Sequence, residues 1–303
     1  MKDNLKLLIR MLLIGLILSS CVVEATEAVP TGITGIAETE LSGQYETLQA
    51  IITEQAATLE SLSTPESPAQ MEDDTGEFTV IEKEGFILKV PNKVANDIVV
   101  SNVLADNPEE GWPELALPAR RVIGFEEYSI LNHFHKPQIY VIPIQKMIED
   151  GQHGGTVAIN LQALLADPNF DLRQEGNLPF LPPFNAAQVF HVLEKRLDSD
   201  HNSGIRFLTL FSQGIVGVTN YEIFYTYQGI SADGRYYIAA VLPVKSSLLS
   251  DTLLSNEDLD KIVDEYQDYI EGMTDLIRAE NGGVVTPSLE SLDAMMVSLV
   301  IQN

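Results

Sequence analysis

The side chains best suited to chemistry in this 303-residue chain are five histidines, one cysteine and 44 carboxylates. His133 and His135 stand two apart, and an extended backbone sends both imidazoles to the same side, the beginning of a metal site. Spacing supplies no third ligand: His153 falls in a Gly-rich turn, His191 on a predicted strand and His201 in a polar turn. The run Asp198-Ser199-Asp200-His201-Asn202 opens like a calcium loop, which needs glycine at its sixth place and a bidentate glutamate at its twelfth. Those places hold Ser203 and Thr209, and the flanks read as strands, so a polar hairpin turn is predicted instead. The sequence therefore assigns no metal and no cofactor.

Nucleophilic chemistry fares no better. There is no G-x-S-x-G elbow, no S-x-x-K followed by the other penicillin-binding signatures, no H-E-x-x-H zinc helix and no Gly-rich phosphate loop. Two carboxylates for glycoside hydrolysis are fixed by their separation in space, so sequence spacing neither finds nor excludes them. No catalytic residue is assigned.

Cys21 is the sole cysteine, and an unpaired thiol in an exported protein asks for an explanation. Upstream, Lys2, Lys6 and Arg10 precede the apolar run Met11 to Leu18, too short for the roughly 20 residues of a membrane span but sufficient for a secretory signal. Leu18-Ser19-Ser20-Cys21 resembles the lipobox of bacterial lipoproteins. The resemblance implies cleavage between Ser20 and Cys21 and diacylglyceryl transfer to the Cys21 thiol, whose two chains suffice for stable anchoring. It places the mature protein outside the cytoplasm, lipid-anchored in the bacterial cell envelope, with the membrane as its first partner.

The signal holds three of the 18 basic and one of the 44 acidic residues, so removing it takes the net charge from −26 to −28. That excess argues against nucleic acid, whose binders use clustered Lys and Arg. Residues 21–76 are rich in Glu, Thr, Ala, Ser, Gly and Pro and read as an acidic low-complexity tether. Within it Leu41, Tyr45, Leu48, Ile52, Gln55, Leu59 and Leu62 alternate spacings of four and three, predicting an amphipathic helix over 38–63. Three heptads is near the lower limit for a coiled coil, so a lone helix is the preferred reading.

Residues 77–303 read as one domain. Phe78 to Ile81 and Phe86 to Val90 form a predicted hairpin, followed by strands at Asp97 to Val103, Arg120 to Phe125 and Gln138 to Pro143. A helix is expected over Ile144 to Leu165, broken at Gly154-Gly155. Two long hairpins follow, Gln188 to Leu197 with Gly204 to Ser212, and Tyr221 to Gln228 with Arg235 to Leu242, the second turning on Asp233-Gly234. Ser255 and Asp258 cap a helix whose apolar face runs from Leu259 to Ile277. Pro287 starts another bearing Leu289, Leu292 and Met296. The class is α+β, an antiparallel sheet built from hairpins with helices packed on it.

Two features suggest contact with a partner: the proline-stiffened stretch containing Pro179, Phe180, Leu181, Pro182 and Phe184, and the aromatics Tyr221, Phe224, Tyr225, Tyr227, Tyr236 and Tyr237. The preferred reading is that the stretch packs over the sheet edge and the aromatics divide between core and surface. Phe184 to His191, Gly204 to Thr209, Phe224 to Gly229 and Asp233 to Tyr237 resemble a group of uncharacterised bacterial lipoproteins, and the order of elements is similar to the PsbP-like fold. The resemblance implies a sheet flanked by helices and a binding or assembly role, with an envelope protein as candidate partner. The competing expectations are a hydrolase acting on an envelope polymer and the substrate-binding lipoprotein of a transporter, whose usual two lobes this hairpin-rich order does not match.

Overall fold

The computed structural model describes residues 77–109, 112–151, 153–174 and 176–302. The expected signal, the Cys21 anchor, the tether and the 38–63 helix lie outside the described residues. The strands are β1 (Phe78–Lys83), β2 (Phe86–Pro91), β3 (Asp97–Val103), β4 (Arg120–Glu126), β5 (Gln138–Pro143), β6 (Ala187–Asp198), β7 (Asn202–Ser212), β8 (Phe224–Ser231) and β9 (Tyr236–Pro243). Two-residue strands β10 (Lys245–Ser246), β11 (Val285–Thr286) and β12 (Val300–Ile301) complete them. The helices are α1 (Ile144–Glu149), α2 (His153–Ala166), α3 (Asn256–Ile262), α4 (Tyr266–Ala279) and α5 (Leu289–Val297).

Seven strands form an antiparallel sheet in the order β3-β4-β5-β9-β8-β7-β6. The central strands are apolar at successive positions, the pattern of a sheet covered on both faces. Leu208, Leu210, Tyr225 and Ile238 enter one core with α3, α4, α5 and the β1–β2 hairpin. Their strand neighbours Phe207, Phe224, Tyr237 and Ala239 enter a second core with α1, α2 and the segment around Leu181. The chain is thus α+β, and its aromatics are chiefly core: Phe224, Tyr225, Tyr227 and Tyr237 are all fully buried. Tyr227 is accommodated by a glycine pair, since a Cβ on Gly204 or Gly229 would stand within 2.5 Å of its ring.

Several predicted boundaries move. The first helix ends at Glu149 and the second begins at His153, so the break comes before the Gly154-Gly155 pair. Gly155 instead lies inside α2, where a Cβ would meet the Met147 carbonyl oxygen at 2.7 Å, so its absence lets α2 pass close over α1. The strand expected from Tyr221 begins at Phe224, because 219–223 form a turn in which the Thr219 carbonyl accepts from Ile223 N. The stripe from Leu259 to Ile277 belongs to two helices, α3 and α4, separated at 263–265. Ser255 caps α3 as expected, accepting from Asp258 N. Pro287 is not the first residue of α5: Ser288 is the N-cap and accepts from Ser291 N.

A sheet buried on both faces must pair its polar side chains internally. Asp293 of α5 receives the Arg206 Nε at 3.1 Å and the Tyr225 hydroxyl at 3.1 Å, while the half-exposed Lys195 Nζ reaches its other oxygen at 3.0 Å. Arg206 also donates to the Leu193 carbonyl, where β6 bulges between Val192 and Lys195. One turn on, Asn202 donates to Met296 O and Leu299 O and accepts from the Tyr227 hydroxyl, holding the end of α5 to the sheet. Asp293→Ala leaves a buried guanidinium uncompensated and is expected to lower the unfolding free energy by about 3–5 kcal/mol. Lys195→Met is expected to cost under about 1 kcal/mol. Urea denaturation of both variants checks the pair, and equal effects would contradict it.

Candidate functional site

The stretch from Leu178 to Phe184 has no strand to pair with, yet it crosses the second core. Its prolines have no N–H to satisfy. Leu181, which has one, is held by the side chain of Gln228 on β8: Gln228 Oε1 accepts from Leu181 N at 2.9 Å and Nε2 donates to Leu181 O at 3.0 Å. The remaining capacity of the amide goes to Tyr237, whose hydroxyl donates to Oε1 at 2.7 Å, and to Thr226 Oγ1 at 2.8 Å. Both Leu181 and Gln228 are fully buried. A side-chain amide thus stands in for a neighbouring strand, with every donor and acceptor on it used.

This segment and α2 are the walls of a groove of about 700 Å³, within the range of small-molecule sites. From α2 come His153, Val157, Asn160, Ala163 and Leu164; Leu178, Pro179, Phe180, Pro183 and Phe184 also line it, with Phe211 of β7. Phe211 packs on Phe180 at 4.4 Å and on Phe184 at 5.2 Å between ring centroids. Arg196 closes the C-terminal end of α2 by donating to the carbonyls of Leu164 at 2.9 Å, Leu165 and Asp167, a favourable position for a cation. Among the described residues, the lining contains neither lysine nor arginine, and Asp167 is its single carboxylate. Gln188 of β6 also lines the groove: its Oε1 accepts from Leu178 N at 3.1 Å, while its Nε2 is buried and unpartnered.

The sequence-derived partner surface is corrected by this arrangement. Phe180 and Leu181 are buried, at 7% and 0% exposure, because their side chains fill the second core and cannot be presented outward. Pro179, Pro182 and Phe184 are half-buried. The stretch does pack down: Leu178 is held by Gln188 on the edge strand β6, and Leu181 by Gln228 on the interior strand β8. Pro179, Phe180 and Phe184 come together on the groove; Pro182 is not part of its lining.

His133 and His135 are near each other, 5.8 Å between ring centroids, but not as metal ligands. His133 Nδ1 accepts from His135 N at 3.0 Å, which leaves Nε2 to donate to Ile223 O at 2.8 Å, so both ring nitrogens are occupied. The His135 ring stacks on Phe184 at 5.1 Å and meets Phe224 edge-on at 4.5 Å. Among the described residues no group of three or more His, Cys, Asp or Glu is placed to hold a metal ion. The Asp198 to Asn202 run is a hairpin turn, with Ser199 N donating to Asn202 O.

Sequence reasoning missed Gln228, Gln188 and the inner face of α2. Gln228 had a signal, a lone amide in the apolar strand Phe224 to Ile230, where a buried polar group requires partners. No helix among the described residues is long and apolar enough to cross a membrane. No protein-family model matches the chain, and no curated protein matches it.

Burial, and to a lesser degree the neighbouring His133, pushes the His135 pKa down from 6.5 to about 4. Between those values the unfolded chain takes up a proton that the folded one refuses, so stability falls as pH drops through that window. His135→Phe keeps the ring contact and removes the titration. Its stability relative to the parent, measured by urea denaturation from pH 7 to pH 4, is expected to rise by up to about 1.4 kcal/mol per pH unit. A constant difference across that range would contradict the assignment.

Proposed function

We propose that the chain is an envelope lipoprotein, anchored through lipid on Cys21, that binds an apolar small molecule without transforming it. The observation that carries the binding reading is the groove between α2 and the clamped 178–184 stretch. Its size, its aromatic and aliphatic lining and its few polar groups are those of a ligand pocket. The hydrolase alternative draws less support there, because two-carboxylate chemistry needs a pair and the described lining supplies Asp167 alone. The transporter reading is disfavoured by the continuous seven-stranded sheet, where two α/β lobes would be needed. The anchoring half rests on Leu18-Ser19-Ser20-Cys21 and the unpaired cysteine.

The full chain carrying Cys21→Ser tests both halves. The substitution is expected to leave the protein unprocessed after Ser20 and to abolish its diacyl anchoring, read by labelled lipid incorporation and by the mass of the product. The purified chain is expected to bind diphenylhexatriene, a neutral hydrocarbon fluorophore, saturably and at one site. Ala163→Trp, a change on the exposed inner edge of α2, is expected to weaken that binding at least tenfold by filling the groove. Unsaturable fluorescence, or binding that Ala163→Trp leaves intact, would overturn the groove as the site.

A further inference from the structure

Resting on the groove as the binding site, its shape narrows the ligand further. Along α2 its lining is His153, Val157, Asn160, Ala163 and Leu164, continued by Asp167 just past the helix end. Apart from Ala163 these recur at spacings of four and three, which is one face of a helix followed from its first turn to its last. At 1.5 Å per residue, the stripe from His153 to Asp167 is about 21 Å long. Spread over that length, about 700 Å³ is a mean cross-section of about 35 Å². The groove is therefore a trough that follows the helix. Val157 and Leu164 are buried, as are Leu178 and Phe180, whereas His153, Asn160, Ala163 and Asp167 are exposed along the rim.

A long, thin occupant is what that shape suits. A helix, about 10–12 Å across with its side chains, is far too thick. A strand takes up about 4.8 by 10 Å in a sheet and is too broad to lie inside. Its backbone would also find few partners, because α2 is bonded internally, Pro179 and Pro183 have no N–H, and Leu178 N and Leu181 N are already taken by Gln188 and Gln228. A hydrocarbon tail has no such groups to satisfy. Charged or titratable side chains stand at both ends, His153 at one and Asp167 with the neighbouring Arg196 at the other. What the trough selects is thus the tail and not the head. We infer that the groove takes a single straight acyl chain, of a free acid or of a lipid, laid along α2. An extended chain advances about 1.2 Å per bond, so a trough of about 21 Å is filled by a tail of about 16–18 carbons.

Chain length tests this separately from the reading beneath it, which diphenylhexatriene binding tests. Calorimetry on the full chain with Cys21→Ser would follow the straight-chain carboxylates from octanoate to eicosanoate, each below its aggregation threshold and all with the same head. Affinity is expected to climb by up to about fourfold with each added CH₂, and to level off between palmitate and stearate. Asn160→Trp, at the exposed midpoint of the stripe, is expected to bring the plateau forward to about decanoate, and Asn160→Ala to leave it in place. Palmitoyl lysophosphatidylcholine binding as tightly as palmitate would assign the tail of a lipid, and binding of palmitate alone would assign a free acid. Affinity that keeps rising past stearate, affinity indifferent to chain length, or a plateau that Asn160→Trp does not move would overturn the inference even where the fluorophore binds. Failure of the fluorophore to bind the parent saturably would remove the groove reading and this inference with it.

Discussion

Gln228 has its hydrogen bonds to make and no water to make them with. It sits fully buried on β8, an interior strand of a sheet whose two faces are both covered. The segment it meets is a proline-rich stretch that cannot join the sheet. An amide lost from that position would leave Leu181 N and O without partners in an apolar core, and buried polar groups in that state are expensive. The position of the 178–184 stretch follows from this one side chain, and with it the aromatic wall that faces α2. Phe180, Leu181 and Phe184 are placed by a hydrogen-bonded backbone and then packed, in that order of dependence.

The same constraint recurs on the opposite face. A sheet with one wet face can leave polar side chains to water, whereas this one must pair them inside. Asp293, Arg206 and Tyr225 satisfy one another beneath α5, and Asn202 takes up the carbonyls at the end of that helix. Asn220 plays a comparable part for the turn after β10, donating to Ser246 O and Leu249 O and accepting from Ser246 N. These groups give the apolar layers a register that apolar packing alone would leave loose. Gln188 is the exception on the groove side: its Oε1 accepts from Leu178 N, and its Nε2 is buried without a partner.

Periodicity and turn chemistry make much of this architecture legible. Alternation and the Asp233-Gly234 pair reveal the β8–β9 hairpin, and the Ser255 and Asp258 spacing reveals the start of α3, because each is decided within a few residues. The groove is not decided locally. Gln188 and Leu178 are ten residues apart, but Gln228 and Leu181 are 47 apart, and no spacing rule joins an amide on a strand to a proline-rich stretch so far upstream. The stretch itself drew attention because it is apolar and proline-rich. Its role came out inverted, with Phe180 and Leu181 directed into the core, since composition reports that a segment can bury surface and not which surface it finds. The His133 and His135 pair shows the same limit. Their shared side was readable, but the backbone partners that occupy the His133 ring were not.

The central claim is that the groove between α2 and the 177–188 segment holds an apolar ligand, and hydrogen exchange locates that ligand most directly. Amide exchange of the full chain carrying Cys21→Ser would be compared with and without saturating diphenylhexatriene. The account predicts slowed exchange in α2 and in residues 177–188, with the β3 and β4 amides unchanged. Protection that falls on β3 and β4 or on the C-terminal helices and leaves α2 and 177–188 as they were would contradict it.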